Sequence, residues 1–210
     1  MEESKIIDQL DAIFTEIRAY YEQMDKIREK ILPLQRKTVR MCSEIIKQVH
    51  RHEHENIPSK IDQIKNHLSQ MTSLISQAPG IFPKDYVQIV KQETGEAIIF
   101  YHIVVHHSLP TPKECNIELE DFAYACADVV GEIRRYILRC LREEDLTQAS
   151  HLLEIMTELY NYLFTLDYPN GLIPGLRKKI DAARGILART EADITLSLQM
   201  HRLHHDLNSA

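Results

Sequence analysis

Glu93 and Glu96 stand three residues apart in KQETGEAIIFYHIVV, residues 91–105, and lead into a run where nearly every helical face is apolar. Asp128 and Glu132 stand four apart in EDFAYACADVVGEIRR, residues 120–135. On a helix each spacing puts both carboxylates on one face. If those two helices face each other, four hard oxygen donors converge, and an oxygen-rich site completed by water is what Mg²⁺ or Mn²⁺ prefers. A divalent ion so held activates water and neutralises charge on a phosphoryl group, the chemistry of phosphodiester hydrolysis. Gly95, Ala97, Ala125, Ala127 and Gly131 are small enough for backbones or a substrate to come close. Blander readings stand beside this one. Glu93 and Glu96 also suit an acidic turn favoured by the helix dipole, and Glu132 an i,i+3 pair with Arg135. With 31 Asp plus Glu in the chain, such pairs also arise by chance, Glu118 with Asp121 being one.

A second pattern follows Pro33. At about 100° per residue, Arg36, Arg40, Lys47 and Arg51 fall within roughly 60° of one another, and Leu34, Met41, Ile45 and Val49 fall opposite. One face is core and the other a cationic ridge. A line of Lys and Arg can follow a phosphate backbone without reading sequence, and the same line also serves as a plain solvated helix face.

The elements that must position these residues are helical. The chain has 210 residues, 44% of them hydrophobic, enough for one sizeable core. Its six glycines and eight prolines cluster between long stretches of good helix formers. The expected architecture is all-α, a single-domain bundle of six or seven helices over 1–202 with a frayed tail at 203–210. Expected helices run over about 4–52, with a kink or short break at Pro33, over 58–77 with Ser59 as N-cap, and over 84–107. Others are expected over 117–142, 146–166 and 176–202. Cys42, Cys115, Cys126 and Cys140 form no CxxC pair and suit reduced thiols of a cytoplasmic protein. No secretory h-region and no apolar run of about 18 residues is present, so no membrane partner is expected. The net charge of −6 argues against coating nucleic acid with an overall basic field, so a polyanion must meet a local stripe.

Other candidates are thinner. His50 and His54 have zinc-pair spacing in HRHEHE, residues 50–55, but no third ligand is evident, and solvent-exposed histidines are the expectation. His102 and His106 share that spacing without the glutamate of an HExxH site, so His102 reads as a packed or interface histidine. Tyr160, Tyr162, Phe164 and Tyr168 could stack bases, although core packing is the commoner role at this density. No Ser-His-Asp set, Gly-rich phosphate loop or zinc signature is present.

The phrases QETGEAIIFYHIV, LEDFAYACADVVGEIRR and REKILPLQRKTVRMCSEIIKQVHR, in this order and spacing, resemble the translin family over about residues 5–198. Within it they are most similar to the catalytic subunit type, translin-associated factor X, since Glu93, Glu96, Asp128 and Glu132 match its acidic set. The resemblance implies an all-α bundle in a hollow homo-oligomer of about eight subunits. It also implies basic residues lining the interior and Mg²⁺-dependent cleavage of single-stranded RNA, with DNA a further candidate ligand. Arg36, Arg40, Lys47 and Arg51 are the expected nucleic-acid contacts. Compact loops at 78–85 and 108–116 and the lack of a basic N-terminal extension are similar to a prokaryotic member that assembles with itself. The alternative the family allows is a non-catalytic single-strand-binding assembly.

Overall fold

The computed structural model describes residues 2–77, 82 and 86–209. Among them are seven α-helices and no strand. These are α1 (Glu2–His50), α2 (Ile57–Ser76), α3 (Gln88–Tyr101), α4 (Pro112–Cys115), α5 (Leu119–Arg142), α6 (Leu146–Phe164) and α7 (Leu176–Ser209). The all-α expectation holds, with departures at the joints. α1 runs unbroken through Pro33. The proline ring removes one bond to the carbonyl of Glu29, and both residues are exposed, so water can take the place of the missing donor. Asn56 rather than Ser59 precedes α2, with Pro58 in its first turn. α3 is described from Gln88; the expected start near Lys84, like most of the 78–85 loop, lies outside the described residues. α4 was not expected: Thr111 and Glu114 cap each other reciprocally inside the 108–116 loop. α7 continues as helix through 203–209, past the boundary at Arg202, and Ala210 lies outside the described residues.

α5 is the central helix, packed against α3, α6 and α7, while α1 packs on α2 and α3. That layering explains why α3 turns apolar on every face after Glu96: Ala97 to Tyr101 are all buried, with α5 on one side and α1 on the other. Phe100, Ile98, Ile99, Ile133, Ile137, Ile45 and Leu152 are among the fully buried side chains at this centre. α3 then widens into a π-helical turn, His102–His106, which ends on His107 in the left-handed region at φ 50°.

The approach of α3 to α5 is set by Gly95. A Cβ at that position would lie 2.6 Å from the Ala125 Cβ and 2.8 Å from the Ile117 Cδ1, closer than van der Waals contact permits. Gly131, in contrast, faces open space and is not part of the contact. α7 is tied to α5 by polar bonds: Arg134 donates to Thr190 Oγ1 at 2.9 Å and to Asp193 Oδ2 at 2.8 Å. The Tyr124 hydroxyl donates to the Pro174 carbonyl at 2.9 Å, just before α7 begins.

Both long helices leave the core uncovered at one end. Residues 5–23 of α1 are exposed, including Ile6, Leu10, Ile13, Ile17 and Tyr20. These continue into half-buried Met24 and buried Ile27 and Ile31 with alternating spacings of four and three, the seam of a helix built to pack along its length. Leu196, Met200, Leu203 and Leu207 repeat the pattern on the far end of α7 and are also exposed. Among the described residues no helix is long and apolar enough to cross a membrane.

Candidate metal centre and cationic ridge

Glu93 and Glu96 project from the second and third turns of α3, and Asp128 and Glu132 from the third and fourth turns of α5, on either side of the Gly95 contact. The structure brings the four carboxylates into one electrostatic neighbourhood. Glu96 is pushed up to about 8, first by burial and then by Asp128, Glu93 and Glu132, with Lys179 opposing them. Glu93 is raised as well, by burial and by Asp128, again against Lys179. Spacing along each helix supplied the pairs; the short distance between helices makes them a quartet.

Two further side chains complete the site. Lys179, on the first turns of α7 and 51 residues away in sequence, holds Asp128 through both carboxylate oxygens, at 2.6 Å to Oδ1. His50, at the end of α1, donates Nε2–H to Glu132 Oε2 at 2.6 Å, and its ring lies 5.0 Å from Phe100 and 5.8 Å from Tyr136. The His50 bond holds Glu132 below the usual carboxylate range, helped by Arg135, 3.6 Å away at the expected i,i+3 spacing. His50 is therefore buried, correcting the expectation of a solvent-exposed histidine. On the wheel it sits beside the cationic ridge, and Phe100 of α3 together with Tyr136 and Glu132 of α5 covers it. Nothing in the sequence pointed to Lys179.

With Asp128 on Lys179 and Glu132 on His50, no three His, Cys, Asp or Glu side chains among the described residues converge as a finished metal cage. The donor chemistry nonetheless fits a hard divalent cation: four carboxylates, partly desolvated, with Lys179 the cation that opposes the rise of both Glu93 and Glu96. Behind the site Cys42 packs on Thr94, Sγ to Oγ1 3.7 Å, and burial pushes its thiol up to about 12. All four cysteines are free and buried, which leaves them inert.

Arg36, Arg40, Lys47 and Arg51 are exposed, while Met41, Ile45 and Val49 on the opposite face are buried and Leu34 is half-buried. The ridge is not purely cationic. Glu44 lies along it, paired with Lys60 at 2.7 Å and held below the usual range by that bond and by Arg40 and Lys47. The remaining candidates separate. His102 is half-buried with Nδ1 3.3 Å from Ser108 Oγ. Tyr162, Phe164 and Tyr168 are exposed, against the core expectation, and Tyr160 is half-buried. Glu118 pairs with Lys91 at 2.6 Å, and Asp121 lies 3.9 Å from the same ammonium, a structural ion-pair group.

The chain is thus an all-α bundle with four half-buried carboxylates on two adjoining helices, α3 and α5, and an exposed cationic ridge on α1. The profile of the Translin family matches residues 19–194, and the chain belongs to that family. Uncharacterized protein MJ0175 of Methanocaldococcus jannaschii is 31% identical over 192 residues, covering 90% of this chain and 84% of that protein. Among solved structures, AfC3PO in complex with duplex RNA is 28% identical with a TM-score of 0.81, covering 90% of this chain and 98% of that one. NeC3PO in its apo form, 17% identical with a TM-score of 0.77, covers 88% and 96% and shares the fold.

Proposed function

We propose that this chain is a metal-dependent endoribonuclease that acts on single-stranded RNA within a homo-oligomer of about eight copies. The observation that carries the reading is the carboxylate quartet itself. Half-buried carboxylates held near one another repel, and Glu96 lies in the field of Asp128, Glu93 and Glu132, the kind of perturbed cluster found at functional sites. Glu93, Glu96, Asp128 and Glu132 would hold Mg²⁺ or Mn²⁺, and such an ion supplies an acidic water and charge neutralisation at a phosphoryl oxygen. Binding requires Asp128 to leave Lys179 and Glu132 to turn from His50. The exposed ridge of Arg36, Arg40, Lys47 and Arg51 positions the strand through its phosphates, in the same subunit or a neighbour. The duplex RNA bound by AfC3PO supports an RNA backbone as the ligand of this fold.

Assembly follows from the uncovered seams. An isolated helix is marginal in water, and among the described residues nothing covers positions 5–23 of α1. A second copy burying Ile6, Leu10, Ile13 and Ile17 supplies it. Ile13→Glu is therefore expected to shift the sedimenting species to smaller mass with the core melt intact; an unchanged profile removes that seam from the assembly.

A specific observation favours the second reading, a non-catalytic RNA-binding assembly: the carboxylates are engaged rather than preformed as a cage. One assay separates the two. Labelled single-stranded RNA, duplex RNA and single-stranded DNA are incubated with EDTA-stripped protein, with and without Mg²⁺. Fragments that require Mg²⁺ support the nuclease; a mobility shift without fragments supports the binding assembly. In the same binding format, each Ala substitution at Arg36, Arg40, Lys47 or Arg51 is expected to flatten the plot of log affinity against log salt by about 0.7. Unchanged slopes place the RNA elsewhere.

A further inference from the structure

Lys179, like His50, is a member of the site that neither helix spacing nor the acidic motif supplies. It arrives from α7 with its ammonium against both oxygens of Asp128, and its field opposes the rise of Glu93 and Glu96 as well. Its side chain is 34% exposed and that of Asp128 28%, so the contact is neither sealed nor free in solvent. α7 does not depend on it for docking, because Arg134 independently ties Thr190 and Asp193 to α5. A lysine stem has four rotatable carbons and a compact charge, so the ammonium can swing to solvent without moving the helix.

We propose that Lys179 is a resident counter-cation that occupies the charge position of the divalent ion and must be displaced from Asp128 for the ion to bind. This rests on the metal-site reading above. The ammonium stabilises the ion-free bundle by offsetting carboxylate repulsion, and the same contact lowers the apparent affinity for a divalent cation. Lysine and metal compete for one carboxylate. The site is thus stable when empty and selects against weakly bound ions.

The test is Mn²⁺ binding to the intact oligomer, followed by the EPR signal of free aqueous Mn²⁺, together with thermal melts in EDTA and in excess Mn²⁺. Lys179→Met keeps the stem and removes the charge. It is expected to bind Mn²⁺ roughly five- to tenfold more tightly, the scale of one partly buried ion pair. It should also melt lower in EDTA and recover that loss in Mn²⁺. Lys179→Arg, which keeps the charge, is expected to resemble the parent, as is Arg177→Met, an exposed residue two positions away. If Lys179→Met does not fold, Lys179→Gln takes its place in the titration. Equal or weaker Mn²⁺ binding by the neutral variants, with the parent binding Mn²⁺, overturns the displacement role and leaves the metal site standing. Absence of Mn²⁺ binding by the parent and every variant overturns both.

Discussion

Glu96→Gln is expected to abolish the proposed Mg²⁺-dependent RNA cleavage while raising the melting temperature of the metal-free protein. The first half follows from the proposed role: the amide keeps the volume but loses the charge that holds the ion. Turnover is expected to fall roughly a thousandfold or more, on the scale of several kcal/mol of lost transition-state stabilisation. The second half follows from linkage. Burial and its acidic neighbours push Glu96 up to about 8 from an ordinary 4.5, so between those values the folded state holds a proton that the unfolded chain has released. The Glu96 contribution to parent stability is therefore fullest below pH 4.5, declines as pH rises between 4.5 and about 8, and levels off above. Gln carries no such proton. At pH 8 in EDTA the variant is expected to melt about 5 °C higher, at roughly 2–4 °C per kcal/mol for a chain of this size, and its decline over that window should be shallower than the parent's, with the raised Glu93 still contributing. Calorimetry across pH 4–9 checks it. Equal slopes in the two proteins would show that Glu96 is ionised throughout and that the quartet is not a strained cluster. Asp128→Asn is expected to lose turnover equally, without a comparable gain in stability, because Lys179 loses its partner.

Gly95→Val breaks the fold where it builds the site. The new Cβ would lie 2.6 Å from the Ala125 Cβ, an atom fixed to the backbone of α5, so relief requires the helices to separate. The Ile117 Cδ1 at 2.8 Å can swing away; Ala125 cannot. Stability is expected to drop by ~3 kcal/mol or more, outside anything helix propensity returns. Gly95→Ala should show a milder loss, and Gly95→Ala with Ala125→Gly should recover most of it, because the second change reopens the space the first one fills. Urea unfolding of the four proteins gives the cycle. Additive losses would mean that the Gly95 and Ala125 contact does not set the spacing between α3 and α5. In Gly95→Val and Gly95→Ala, Glu96 also moves away from Asp128 and Glu132, so divalent binding should weaken along with stability.

Local sequence was enough for the long helices, though not for α4, and for the two carboxylate pairs and the ridge, because each depends on periodicity within one element. Apolar spacing put Met41, Ile45 and Val49 inside and Arg36, Arg40, Lys47 and Arg51 outside, and the structure has them there. It was silent on everything that requires a second helix. The burial of His50 comes from α3 and α5 closing over a position that the wheel places beside solvent. Lys179 reaches Asp128 across 51 residues of chain, and no local rule selects it from the other lysines. Pro33 failed to break α1 because its lost bond faces water, a matter of exposure rather than of residue type. By itself, then, the sequence determined which faces carry charge and which carry apolar bulk. Only tertiary structure decided that two acidic faces meet across Gly95, that a lysine and a histidine hold them in the meantime, and that the ends of α1 and α7 remain uncovered. The physical reason is that helical periodicity is fixed over a few residues, whereas charge pairing and burial depend on distances between elements far apart in the chain.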